Sequence, residues 1–313
     1  MSTTAPSNPG PTPDPIPEHW RSLVDDAAIF PPGNAPLTEA VTAHRTHRAA
    51  PYAELLGPFV VSDLRVPELL EVVRAEPADP LAVAVVVTGG AGAVEPAVRW
   101  AAGAPELTLA AVEVALRDEA ELAHNAGRMT MVLDRLLADG LLSEDTRVFV
   151  EPPRLYGEPP SQSWLRALDE LAAMDLSLKF RTGGVDADAF PAAPELATFL
   201  AAATDRELRF KCTAGLHHAV RHRDQETGFE QHGFLNVLLG TRASLDGVPV
   251  TEVTELLDEH DATRVRELLH QLGEEGIAAT RRWFTSFGSC SVADPLRDLT
   301  DLDLLPRLPK EPA

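Results

Sequence analysis

Short runs rich in Val, Leu and Ala alternate with longer helical stretches along most of the chain, and this alternation limits the fold more than any other feature. Repeated βα units of this kind build parallel sheets covered by helices. The pattern predicts seven strands, at about 23–30, 58–62, 81–87, 108–115, 147–151, 176–181 and 208–213. It fits a closed (β/α)8 barrel, or TIM barrel, with an open doubly wound sheet as the alternative.

The length of the chain and its motifs favour the barrel. A (β/α)8 barrel occupies about 250 residues as one domain, and the chain has 313. No Gly-x-Gly-x-x-Gly follows an early strand, as it would in a dinucleotide-binding open sheet. We therefore expect one α/β TIM-barrel domain over 18–313. Residues 1–17 contain six prolines and are predicted to form a disordered tail.

The eighth strand has two candidate positions, the apolar runs Phe234–Leu239 and Trp283–Phe287. Helical periodicity dominates the chain between Gly215 and Arg282. We therefore place the eighth strand near 283–288 and assign Phe234–Leu239 to a helix. This choice predicts an enlarged helical segment, about 216–281, between strands seven and eight.

Composition restricts the partners. Acidic residues outnumber basic ones by 48 to 27, giving a net charge of −21, which repels nucleic acid and anionic membranes. Two cysteines are too few for a disulfide framework, and no apolar run approaches the roughly 18 residues of a membrane span. We expect a cytoplasmic protein with a small-molecule substrate. The sequence leaves open whether identical chains form a homo-oligomer.

Charged residues occur inside several of the predicted strands. Because side chains alternate along a strand, Lys179 and Arg181 on strand six are predicted to face into the barrel, as is Lys211 on strand seven. Glu113 and Glu151 fall on the same inner face of strands four and five. These groups should meet near the carboxyl ends of the strands, where barrel enzymes keep their active sites.

Two lysines and two glutamates in one pocket suggest Schiff-base chemistry. A cationic neighbour and partial burial both disfavour an ammonium group, and the neutral amine can attack a carbonyl. The alternative is a buried Lys–Glu network that only balances charge. Buried ion pairs are poor stabilisers, so we favour the catalytic interpretation.

Glycine- and serine-containing turns follow strands six, seven and eight. Such turns expose backbone N–H groups that can bind an anion such as phosphate, although Gly and Ser are common in any strand-to-helix turn. Together with Arg181, the candidate substrate or phosphate contacts are Thr182, Gly183, Gly184, Gly215, Gly288, Ser289 and Ser291.

Several histidines lie near these turns. His218 and His222, four residues apart, could share a helix face, and with His217 they form a candidate metal cluster. Without cysteines or carboxylates in a recognised ligand pattern, we expect no metal and no cofactor. His217 and His218 are then expected to line the mouth of the site. His44 and His47 are predicted to be solvated on a polar helix.

The order of the motifs resembles that of deoxyribose-phosphate aldolase and its class I aldolase relatives. The resemblance is carried by short segments spread over most of the predicted barrel. Besides the two lysine motifs, these are Val24–Ala27 followed by Phe30–Pro32, Val112–Ala115, Arg147–Glu151 and Phe287–Ser291.

This resemblance implies roles for individual residues. Lys179 matches the Schiff-base lysine, and Lys211 matches the second lysine that favours its neutral form. Asp25 matches the aspartate of strand one. Glu113 falls where the family has a proton-shuttling aspartate, one methylene shorter, and Arg181 replaces a small hydroxyl residue.

The sequence thus favours a class I aldolase or lyase that acts on a small phosphorylated or otherwise anionic carbonyl compound. Two alternatives remain at this point. One is a barrel that binds a ligand without catalysis. The other is a metal-dependent lyase or hydrolase that uses the His217 and His218 cluster with Glu113 or Glu151.

Overall fold

Eight parallel strands close into a barrel in the computed structural model, which describes residues 16–117 and 121–306. The TIM-barrel prediction is therefore confirmed. The predicted tail at 1–17 falls almost entirely outside the described residues. In chain order the barrel strands are β1 (Val24–Asp26), β2 (Leu56–Ser62), β3 (Leu81–Val87), β4 (Leu107–Ala115), β5 (Arg147–Glu151), β6 (Ser177–Arg181), β7 (Phe210–Thr213) and β10 (Phe284–Ser289).

One helix follows each of the first six strands, as the alternating pattern predicts. They are α1 (Leu37–Ala49), α2 (Val66–Ala75), α3 (Ala91–Ala102), α4 (Leu122–Ala138), α5 (Gln162–Ala173) and α6 (Ala193–Thr204). In the part of the chain that the structure describes, no helix is long and apolar enough to cross a membrane.

The segment between β7 and β10 is enlarged, and β10 closes the barrel between β7 and β1. Three helices occupy most of it: α7 (Phe234–Leu245), α8 (Val250–Leu257) and α9 (Ala262–Arg281). The assignment of Phe234–Leu239 to a helix is confirmed. Helix starts later than predicted, because 216–233 forms turns and the antiparallel hairpin of β8 (His222–Arg223) and β9 (Glu230–Gln231). After β10 comes α10 (Ala293–Asp301).

The barrel interior has an apolar layer and a charged layer. Val60, Ala84, Ala111 and Phe149, from β2 to β5, form a small buried cluster of their own. The ammonium of Lys211 lies 5.3 Å from the centre of the Phe149 ring. Phe149 thus connects the apolar cluster to the charged groups of the interior.

The turns after β6 and β7 approach each other closely. A Cβ atom on Gly215 would lie 2.9 Å from the Thr182 carbonyl oxygen and 3.0 Å from the Cα atom of Gly183, and its φ is +70°. Glycine at 215 is therefore required by backbone conformation and by crowding, whatever the turn binds.

The effects of backbone conformation and of crowding can be separated by replacing Gly215 and, as a control, Gly247. Gly247 has a similar φ of +76° but nothing within 4 Å of its Cβ position, so Gly247→Ala should lose only the about 1 to 2 kcal/mol of left-handed backbone strain. Gly215→Ala should lose about 1 to 3 kcal/mol more, because its methyl group also has to displace backbone. Urea unfolding measures both losses, and equal values would contradict the crowding argument.

Candidate active site

Three charged side chains from distant parts of the chain meet in the barrel interior. The ammonium of Lys211 on β7 lies 2.5 Å from Oδ2 of Asp25 on β1 and 2.5 Å from Oε1 of Glu113 on β4. Ser286 on β10 donates to the same Asp25 oxygen at 2.9 Å. All four side chains are buried, so these contacts replace water around the charges.

Lys179 extends this group toward the open end of the barrel. It is the neighbour of Lys211 across the β6–β7 pair. Its ammonium lies 3.0 Å from Oε2 of Glu113 and 3.1 Å from Oε2 of Glu151. The other Glu151 oxygen accepts a hydrogen bond from Nε of Arg181 at 3.0 Å. Glu113 is thus shared by two lysines, and Glu151 by a lysine and an arginine.

Burial and neighbouring charges act in opposite directions on the pKa values of Lys211, Glu113 and Asp25. Burial would lower the pKa of Lys211, but the charges of Asp25 and Glu113 outweigh burial and raise it. Burial would raise the pKa of Glu113, but Lys211 and Lys179 lower it to about 2. Burial raises the pKa of Asp25 in spite of its contact with Lys211. At neutral pH Glu113 is therefore a carboxylate and Lys211 an ammonium group.

A thiol and an imidazole meet at the mouth, on the turns after β10 and β7. Nδ1 of His217 lies 3.3 Å from Oγ of Ser289 and 3.6 Å from Sγ of Cys290. Burial lowers the pKa of His217 and raises that of Cys290. Both groups are therefore neutral at pH 7. The sequence analysis did not predict this contact, because the two residues are 73 positions apart in the chain.

The polar groups of the glycine- and serine-containing turns mostly bind the protein itself. The hydroxyl of Thr182 is buried and donates to the carbonyl oxygens of Thr213 and Ala214. Ser291 accepts the Asp294 N–H at the start of α10. Gly183 is crowded by Gly215. These contacts within the protein explain why these residue types occur in the turns, without a bound anion. Gly184 lies in the turn after β6, whereas Gly288 and Ser289, predicted to belong to a turn, are the last two residues of β10 and pair with β1.

His218 lies in a different place, against α10. Its Nδ1 is 3.0 Å from Oδ2 of Asp298, and its ring packs edge-on against His222 at 4.6 Å between centroids. The two rings meet without sharing a helix, because His222 belongs to β8. They line a cavity of about 420 Å³ together with His260. Among the described residues, no three His, Cys, Asp or Glu side chains are arranged to hold a metal ion.

Another cavity, of about 1130 Å³, opens at the amino ends of the strands. Arg147, Arg209 and Arg281 line it with several acidic residues, and it contains neither lysine of the interior. Barrel enzymes work at the opposite end. We therefore place the candidate active site at the carboxyl ends, around the two lysines.

His44 is buried rather than solvated, which corrects the prediction made from the polar helix. Its Nδ1 lies 2.9 Å from Oδ2 of Asp26, and both side chains are almost fully buried. The other Asp26 oxygen accepts the Ala28 N–H. This pair fixes the start of the loop after β1, next to Asp25. His47 is half-buried and lies 2.9 Å from the hydroxyl of Tyr52.

The chain matches no family model, and no curated protein shows significant similarity to it. We therefore infer the function of the protein from the geometry of the site.

The lowered pKa of Glu113 makes stability depend on pH. This group contributes stability that is fully present above its ordinary pKa of 4.5 and is lost as the pH falls through the folded value of about 2. The difference in unfolding free energy between the protein and Glu113→Gln should therefore shrink by about 3 kcal/mol across this range.

Urea unfolding at a series of acidic pH values measures the difference. Glu39→Gln, on an exposed position of α1, is the control and should show no such trend. A difference between the protein and Glu113→Gln that stayed constant with pH would mean that the lysines do not hold Glu113 ionised.

Proposed function

We propose that this protein is a class I, Schiff-base aldolase or related lyase with Lys179 as its nucleophile. The observation that carries the proposal is the use of lysine. Of the 27 basic residues only three are lysines, at positions 179, 211 and 310, and two of these share one buried carboxylate in the barrel interior. All the other basic residues are arginines.

Arginine would be the better residue if the network only balanced charge. Its guanidinium pairs bidentately with carboxylates and is more weakly hydrated, so it is easier to bury. It cannot become a neutral nucleophile in a protein. Lysine can, and two buried lysines therefore support chemistry at an amine.

Contacts support Lys179 over Lys211 as the attacking group. Lys211 has two carboxylates at 2.5 Å, which hold it as an ammonium ion. The carboxylates of Lys179 lie farther away, at 3.0 and 3.1 Å, and each is shared with another cation. Glu151 is also partly exposed, so this end of the network is the one closest to an arriving substrate.

These positions support the following proposed reaction. Neutral Lys179 bonds to the carbonyl carbon, and its two hydrogens leave with the carbonyl oxygen as water. Once the imine is protonated, the carbon–carbon bond next to the substrate hydroxyl breaks and its electrons move to the nitrogen. Glu151 takes the hydroxyl proton, while Glu113 stays a carboxylate between the two lysines. Protonation of the enamine at carbon and hydrolysis then free the amine.

Reductive trapping tests this proposal. The protein is treated with cyanoborohydride and each of a panel of small aldehydes, ketones and phosphorylated ketones, and the modified peptide is identified by mass spectrometry. We expect an adduct on Lys179 that is absent in Lys179→Arg, which keeps the charge but cannot form an imine. Lys211→Arg is the matched control and should still be trapped at Lys179. Trapping at neither barrel lysine would refute the proposal and favour a barrel that only binds its ligand.

A further inference from the structure

Arg181 is the charged residue of the site that remains open to a ligand. It stands two positions after Lys179 on β6, so both side chains leave the same face of the strand. Its side chain is 44% exposed, against 4% for Lys179. An incoming substrate would meet the guanidinium before it reaches the amine.

Most of the hydrogen-bonding capacity of Arg181 is unused. Of five guanidinium N–H groups, only the one on Nε donates to a described residue, Glu151. Arg154, after β5, shows the contrast: its Nε and Nη2 donate to Glu195 and its Nη1 donates to the Asp188 carbonyl oxygen. Arg154 therefore serves the fold, whereas both terminal amino groups of Arg181 remain available.

Glu151 also fixes how far the guanidinium lies from the amine. One of its oxygens contacts Lys179 and the other contacts Arg181, so a single carboxylate bridges the two cations. The two contacts are 3.1 Å and 3.0 Å long, so the amine and the guanidinium are no farther apart than one carboxylate can span. A ligand that binds the free terminal amino groups of Arg181 and reacts at Lys179 therefore has to be short.

We propose that Arg181 is the specificity-determining residue of this site and that it binds the carboxylate of a short 2-oxo acid while Lys179 attacks the adjacent carbonyl. This inference rests on the proposed Schiff-base function. The planar fork of a guanidinium matches a carboxylate with two parallel hydrogen bonds. His217 and Cys290, on the neighbouring turns after β7 and β10, are both neutral and offer no charge for a phosphate.

The first experiment compares pyruvate with methyl pyruvate, which has the same skeleton without the charge. In cyanoborohydride trapping, pyruvate should half-saturate Lys179 at a concentration at least about ten-fold lower than the ester does. Arg181→Gln should remove this advantage of pyruvate, since a hydrogen bond to a charged group contributes about 1.5 to 3 kcal/mol. The concentration at which the ester half-saturates Lys179 should not change in this variant. Arg181→Lys should keep only part of it.

Arg99→Gln is the control for total charge, because it removes one exposed arginine on α3, and it should behave like the unmodified protein. An advantage of pyruvate that survives in Arg181→Gln would overturn the assignment. So would an Arg181-dependent preference for glyceraldehyde 3-phosphate over pyruvate.

A second measurement separates this inference from the proposed function. Oxamate has the shape and charge of pyruvate but does not form an imine. Its dissociation constant, measured by titration calorimetry, should rise at least about ten-fold in Arg181→Gln. If nothing traps Lys179 but oxamate binding still depends on Arg181, the aldolase proposal fails and the carboxylate site stands. Oxamate binding that is absent, or equal in both proteins, overturns the carboxylate site.

Discussion

A single buried carboxylate, that of Glu113, contacts the amines of two lysines on neighbouring strands. Buried charges are tolerated only when they are paired, and the loss of one partner costs about 3 to 5 kcal/mol. The register of the strands is therefore fixed, because a shift by one residue would turn Lys179 or Lys211 toward the apolar helical layer. The contacts that close the barrel between β1, β4, β6 and β7 are therefore the same contacts that form the candidate site.

The choice of residue type in this network carries more information than its charge. A chain that uses arginine for almost every basic position keeps lysine at 179 and 211, where an amine is buried against shared carboxylates. Buried ion pairs rarely raise stability above what apolar residues of the same volume would give. Stability alone therefore explains neither the charges nor the preference for lysine, and for this reason we propose chemistry at an amine.

Much of the fold and part of the site could be predicted because they depend on local periodicity. A barrel strand has two faces, so alternation alone was enough to point Lys179 and Arg181 inward. The burial of His44 was missed, although a signal existed: His44 follows Leu37 by seven residues and Val41 by three, which places it on the apolar face of α1. Its polar neighbours concealed that periodicity.

Contacts between turns could not be predicted, because they depend on which strands are neighbours. His217 and Cys290 are 73 residues apart and meet because β10 pairs with β7. The glycine at 215 was read as part of an anion site, yet crowding against the next turn is enough to require it. The remaining candidate for binding an anion is the guanidinium of Arg181. The net charge of −21 does not oppose the proposed carboxylate site, because physiological salt screens exposed charges over about 8 Å.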